Sequence, residues 1–526
     1  MKRLSALAVS VVLCTSSLSA ADSPDLQMVT RIRQEGLRNS KVMDYARTLT
    51  DGIGGRLTGS PQMKKANEWT RDEFSKMGLA NAHLEPWKFG RGWVADSVNV
   101  RMIEPDPQQL YAIAFAWSPS TNGVVRGKVV KVKLESKEDL EKNKGKLANA
   151  IVMISEPKEM KPVDKAYLER YTDEELAKLS DYEIPAARDN ARRAEFMKRR
   201  EFRKELAQFA IDEKIAAILQ PGGAEGAGGV FRVQGSGTWR DDEPVGVATI
   251  GLAPEHYARI ARLIDDKKDV ELEVELKARF LDQDLNGYNT VAELPGSDKK
   301  GEIVMLGAHL DSWHTGTGAT DNAAGSVVMM EAMRILKALG VTPKRTIRIA
   351  LWSGEEQGLL GSRAYVEEHF GKRAEPKDPE QAKLPSWART TDKGELVLKP
   401  EQAKVSAYFN VDNGTGKIRG IYAQENAAVA PIFASWLEPF HDLGATAVTM
   451  RNTGSTDHVS FDDVGIPGFQ FIQDDVEYFS RTHHTNWDTY ERLQREDLMQ
   501  AAVIVASFVW EAANRPELMP RKPMPK

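Results

Sequence analysis

A chain of 526 residues is longer than one hydrophobic core usually supports, so at least two folding units are expected. Its 41% hydrophobic and 28% charged residues are ordinary for a globular protein, which excludes the fibrous and wholly disordered classes. A formal net charge of -5 without a dense Lys/Arg stripe removes the electrostatic case for nucleic acid as a partner.

In chain order, Met1 to Arg3 is basic, Leu4 to Leu13 apolar, and Ser19, Ala20 and Ala21 small, the pattern of a secretory signal over residues 1–21. A secreted or periplasmic location follows. The apolar run is shorter than a membrane span, and no later stretch approaches the roughly 20 residues that a span requires. Cys14, the only cysteine, lies in this run after Leu13, which is not the small residue that lipidation prefers. Cleavage would leave no thiol for a disulfide, a thiolate ligand or a nucleophile.

From about Asp25 to Met102 the pattern is helical, then extended, and the turn-rich Asp51 to Ser60 contains Arg56 as a candidate anchor. Residues 106–280 carry strand and helix signals of their own and read as an inserted domain. Within it, Lys158 to Arg200 is so charged that exposed helices are expected. Gly222 to Gly229 lacks the Gly-Lys-Ser/Thr of a phosphate loop and reads as a surface loop. From Tyr288 onward strands alternate with helices: Asn289 to Leu294, Ile303 to Gly307, a helix Ala323 to Leu339, Thr346 to Trp352, Val405 to Val411, and a terminal helix Asp497 to Ala513. That alternation predicts a three-layer α/β core over 22–105 and 281–515, with 516–526 as a flexible tail.

His309, the pair Glu355 and Glu356, and Asp412 each follow the apolar part of a predicted strand, and open α/β sheets place ligands beyond the carboxyl ends of their strands. Asp321 stands where a Gly-rich loop meets a helix, a position that a helix N-cap also explains. His483 and His484 complete a set of imidazoles and carboxylates on five segments, the donor mixture of a two-metal hydrolase site. Two Zn²⁺ bring four positive charges, which Asp321, Glu356, Asp412 and one hydroxide would balance, leaving Glu355 as general base. Cobalt or manganese suit the same donors. Asp311 and Asp488 are placed to accept the second imidazole N–H of His309 and His484, or else to serve as turn residues.

These motifs, with Gly54 to Ser60, Asn289 to Gly296, His309 to Trp313 and Leu351 to Gly358, resemble the co-catalytic di-zinc exopeptidases, the family of secreted aminopeptidases and carboxypeptidase Q-like enzymes. The resemblance implies a mixed, mostly parallel sheet between helices, and a protease-associated-like lid for the insert. It implies two Zn²⁺ per subunit and a homodimer. It further implies that His309 and Asp412 hold one zinc, Glu356 and His484 the other, Asp321 bridges them, and Glu355 is the catalytic acid/base. The family spacing favours His484 over His483. Asp457 and His458 resemble a loop near the substrate pocket and receive no ligand role, and His314 reads as a solvent-exposed loop residue.

The expected activity is hydrolysis of peptide bonds near a free end of short peptides by metal-activated water, as aminopeptidase or as dipeptidase/carboxypeptidase. The alternatives are a single-zinc glutaminyl cyclase-like enzyme and a non-catalytic receptor-like protein on the same core.

Overall fold

The computed structural model describes residues 22–157, 159–160, 164–182, 190–223, 230–384, 389 and 391–525. The proposed signal segment, Cys14 and most of the Gly222 to Gly229 run lie outside them.

Two eight-stranded sheets organise the chain. The first runs in the order Ala80–Lys88, Asn286–Leu294, Arg345–Trp352, Lys299–His309, Val405–Asn410, Gly468–Gln473, Ile418–Tyr422, Ala447–Thr449. Its centre is parallel, antiparallel pairs follow on both sides, and the last pair, Ile418–Tyr422 with Ala447–Thr449, is parallel again. Strand alternation sorts the side chains. Val304, Leu306 and Ala308 enter one apolar layer with the helices Leu26–Arg38, Ala324–Ala338 and Arg495–Asn514, while Ile303 and Met305 enter another with Leu360–His369 and His458–Asp462. The sheet therefore lies between helices, and the mixed α/β architecture is the one that the alternating pattern predicts. Among the described residues no helix is long and apolar enough to cross a membrane.

The second sheet closes on itself. Gln108–Leu110 and Ala112–Ala114 are separated only by Tyr111, yet stand at opposite ends of the strand order, so the chain bends there and joins the two edges. Gly92–Glu104 pairs along its length with Glu271–Leu281 inside this sheet. Residues 92–104 thus take part in the second sheet, because a strand of 13 residues finds its long partner there.

Two further expectations are revised. The charged segment is helical over Asp173–Leu179 and from Asn190 onward, but the first of these helices does not stand free. Residues 164–182 form a strap on the first sheet, with Leu176 packed on Ala447 and Ile472. Arg170 is 2.9 Å from Asp474 and 2.7 Å from Asp497, and Thr172 and Glu175 form a capping box on the helix Asp173–Leu179. The tail is likewise anchored. Met519 is buried, Arg521 donates to the carbonyls of Gln402 and Val405 at 2.8 and 2.7 Å, and Lys522 pairs with Asp462. Composition hid both, since Lys and Arg cover apolar ground with their stems while their heads reach carbonyls.

Candidate metal centre

Lys299–His309 is flanked by parallel neighbours that place Trp352 beside His309 and Asn410 beside Gly307. The turns that follow all three strands open at one edge and bring together residues up to 103 positions apart. His309 Nε2 lies 3.1 Å from Asp412 Oδ1 and 3.3 Å from Asp321 Oδ1. His484 Nε2 lies 3.3 Å from Asp321 Oδ2 and 2.9 Å from Glu356 Oε2. Asp321 thus offers one oxygen to each half of the site. It does not cap the following helix, where the neighbouring Asn322 Oδ1 accepts from Gly325 N in the first turn at 2.8 Å.

Donor atoms of His309, Glu355 and Asp412 lie within 4.8 Å of one another, and so do those of Asp321, His483 and His484. His483 is therefore closer to the centre than a packing role suggests. Its ring centroid is 3.8 Å from that of His484 and 4.9 Å from that of Tyr478. His484 takes a left-handed backbone, φ 58°, uncommon for a non-glycine residue.

The supporting residues act differently from the expected pattern. His309 Nδ1 meets the backbone carbonyl of Asp311 at 3.0 Å, with an oxygen of the Asp311 carboxylate farther off at 3.6 Å from the same nitrogen. That carboxylate accepts from Thr58 Oγ1 at 3.0 Å and from the amides of Glu355 and Glu356 at 3.2 and 3.3 Å, which fixes the turn carrying both glutamates. Asp488 does not reach His484. It accepts from Thr320 N, Thr320 Oγ1 and Asp321 N at 2.6, 2.8 and 3.0 Å, so it holds the segment that carries Asp321. In both places an aspartate accepts from nearby backbone amides, which are fixed donors, and Asp311 does so while also facing the His309 imidazole.

Arg56 is the anchor that its loop suggested. Fully buried, it donates to the carbonyls of Leu310, Thr317 and Gly318 at 2.6, 2.7 and 2.8 Å, pinning the loop between His309 and Asp321. Burial lowers its pKa to about 10. His314 is not a solvent-exposed residue. Its Nε2 lies 2.9 Å from Ala114 O in the second sheet, its ring meets Trp93 edge-on at 5.1 Å, and burial lowers its pKa to about 4.

The electrostatics favour cations. Burial raises Glu355 and Glu356 well above the carboxylate range, with neighbouring carboxylates adding to the effect, and burial lifts Asp488 to about 7. Burial would lower His309, but Asp412 and Glu355 outweigh it and hold the imidazole well above its usual value. Asp321 Oδ2 and Glu356 Oε1 are out of water and receive no hydrogen bond. Mixed N and O donors with unsatisfied buried carboxylate oxygens fit divalent ions. Asp457, fully buried, also has two oxygens without donors, and burial raises it to about 7, but it is in neither donor group.

One contact had no sequence signal. Phe231 to Val233 of the second unit pairs with the His484 segment: Val233 N donates to His484 O at 2.7 Å, and Phe231 N to Asn486 Oδ1 at 2.6 Å. Neither segment shows strand periodicity, so only the tertiary structure reveals the pairing.

Residues 289–509 match the model of peptidase family M28. Mouse carboxypeptidase Q is 25% identical over 474 residues, covering 90% of this chain and 86% of that protein. An aminopeptidase of Bacillus subtilis is 28% identical over 276 residues, covering 52% of each. Among solved structures, a peptidase M28 precursor from Shewanella amazonensis superposes with a TM-score of 0.67 at 24% identity, covering 95% of this chain and 98% of that one. A zinc aminopeptidase from Bacillus subtilis gives a TM-score of 0.56 at 20% identity, covering 90% and 95%. Every residue of the donor set lies within 289–509, so the stretch that supplies the site is the stretch similar to peptidase family M28, and over most of its length the chain is similar to carboxypeptidase Q.

Proposed function

We propose that this enzyme hydrolyses short peptides next to a free chain end, using two Zn²⁺ per subunit. His309 and Asp412 hold one ion, Glu356 and His484 the other, and Asp321 joins them. The observation that carries the reading is the division of the Asp321 carboxylate, one oxygen 3.3 Å from each of two histidines supplied by distant segments. When bound, such a pair of ions polarises the scissile carbonyl and acidifies water.

The chain's own residues do the rest. Glu355, buried beside His309 and Asp412, takes the proton from the attacking water and returns it to the departing amine. Asp311 keeps both glutamates in register through their amides, and Asp488 does the same for Asp321. Residues 1–21 serve as an export signal, and the second unit serves as a lid, its contacts at Trp93 and Phe231 closing on the metal loops.

Glu355→Gln provides the test. It should keep its zinc, measured on the purified protein, while kcat falls by roughly 10²- to 10⁴-fold. Undiminished turnover removes Glu355 as the base. Loss of one zinc would instead make it a ligand beside His309 and Asp412.

A further inference from the structure

Arginines from both units stand near the metal centre. Arg56 lies beneath the site with its guanidinium on backbone carbonyls. Arg232 approaches from the second unit. It is exposed, and among the described residues its side chain has no ion pair and no hydrogen bond.

The placement of Arg232 is built. Phe231 and Val233 on either side are buried with Ile113 and Phe115, so strand alternation turns Arg232 to the opposite face. Residue 232 forms an antiparallel bridge with Thr485, next to His484 in the chain, and the amides on both sides of it are tied to the same loop. Its charge is felt by both His483 and His484. A guanidinium without a carboxylate of its own, held beside this centre, leaves its donors open to a carboxylate that a ligand brings. Its planar fork suits a carboxylate bound by two parallel hydrogen bonds. In a peptide cut one residue from its carboxyl end, that carboxylate lies about one residue step, ~3.8 Å between Cα atoms, past the scissile bond.

We propose that Arg232 determines which end is recognised, by pairing with the free C-terminal carboxylate of the substrate, so that the site takes dipeptides and other peptides from their carboxyl end. This rests on the hydrolytic reading of the His484 loop. A lid residue thereby sets specificity for chemistry performed by the first sheet, and only the docked lid presents it.

The experiment compares a dipeptide with its C-terminal amide on the zinc-loaded full chain. The wild type should prefer the free acid. In Arg232→Gln the acid-to-amide ratio of kcat/KM should fall roughly 10- to 100-fold, the range of a lost charge-assisted hydrogen bond, with the loss mainly in KM. Arg232→Lys should restore part of the ratio, and Arg232→Glu should lower it further. Zinc content and melting temperature show that each variant is folded. A wild type indifferent to amidation, or an unchanged ratio in Arg232→Gln, overturns the assignment while leaving peptide hydrolysis intact. A zinc-loaded wild type that cleaves neither substrate overturns the hydrolytic reading, and the role of Arg232 falls with it.

Discussion

His309, Glu356 and Asp412 stand at the ends of adjacent strands whose hydrogen-bond ladders fix their spacing, whereas His484 stands on the irregular segment 478–488, outside any sheet. The floor of the site is thus positioned by backbone pairing. The roof is positioned by side chains and borrowed contacts: Asp488 on Thr320 and Asp321, Asn486 on Phe231, and Ser480 on the carbonyl of Tyr167. Ladders of the first kind form whenever the sheet forms. Contacts of the second kind require the second unit and the strap to be docked, so the complete donor set reports on the assembly of both units.

Asp321 is where the two constructions meet, and its removal should have the largest effect. Asp321→Asn keeps the volume but withdraws the negative charge shared between His309 and His484. Zinc content should fall below that of the wild type, and kcat/KM should drop by about 10³-fold or more, matching the ~4 kcal/mol lost when one partner of a buried charge pair is removed. Metal analysis together with kinetics checks it. Retained zinc and near-normal turnover would mean that floor and roof bind their ions independently.

The same division explains what could be read from letters alone. The apolar runs before His309, the Glu355 and Glu356 pair, and Asp412 announce strands that carry candidate site residues to one edge, because burial and periodicity are local properties. Arg56 in its glycine-rich turn was legible too, since a lone arginine among glycines needs carbonyls to bond. The partners of Asp311 and Asp488 were not, because the choice between an imidazole and a backbone amide depends on angstrom-scale geometry that spacing does not encode. His314 was misread for a related reason. A histidine in a polar loop looks exposed until a second unit, joined through Trp93 and Ala114, covers it. The strap failed on composition, as its charges find partners more than 300 residues away.

Acid offers a way to weigh the two regions. His458 in the first unit and His314 at the lid contact are both held neutral by burial, each with a pKa lowered to about 4. A histidine depressed in the folded state binds its proton more readily when unfolded. Stability is therefore whole above about pH 6.5 and declines as pH falls toward 4. For His458, which is 1% exposed, the full decline amounts to about 3 kcal/mol. Denaturant unfolding of the wild type and of His458→Asn across this range should show a shallower pH dependence in the variant. Parallel curves would mean that His458 titrates normally.

The smallest effect should come from the strap, and it isolates the roof. Arg170 bonds the buried Asp474 and Asp497, while the adjoining backbone accepts from Val476 N and Ser480 Oγ. Arg481 also stacks on Tyr167 at 4.1 Å. Asp474 keeps Arg419 at 3.0 Å when Arg170 is removed, and Arg170 is itself 36% exposed, so Arg170→Ala should cost only about 1 kcal/mol after solvent screening. The cost should be local. Amide exchange should quicken over 476–488, which the strap clamps, and stay unchanged over 303–309, which the ladder holds. Equal quickening in both stretches would show that roof and floor unfold as one unit, and the distinction between backbone-built and side-chain-built halves of the site would have no energetic content.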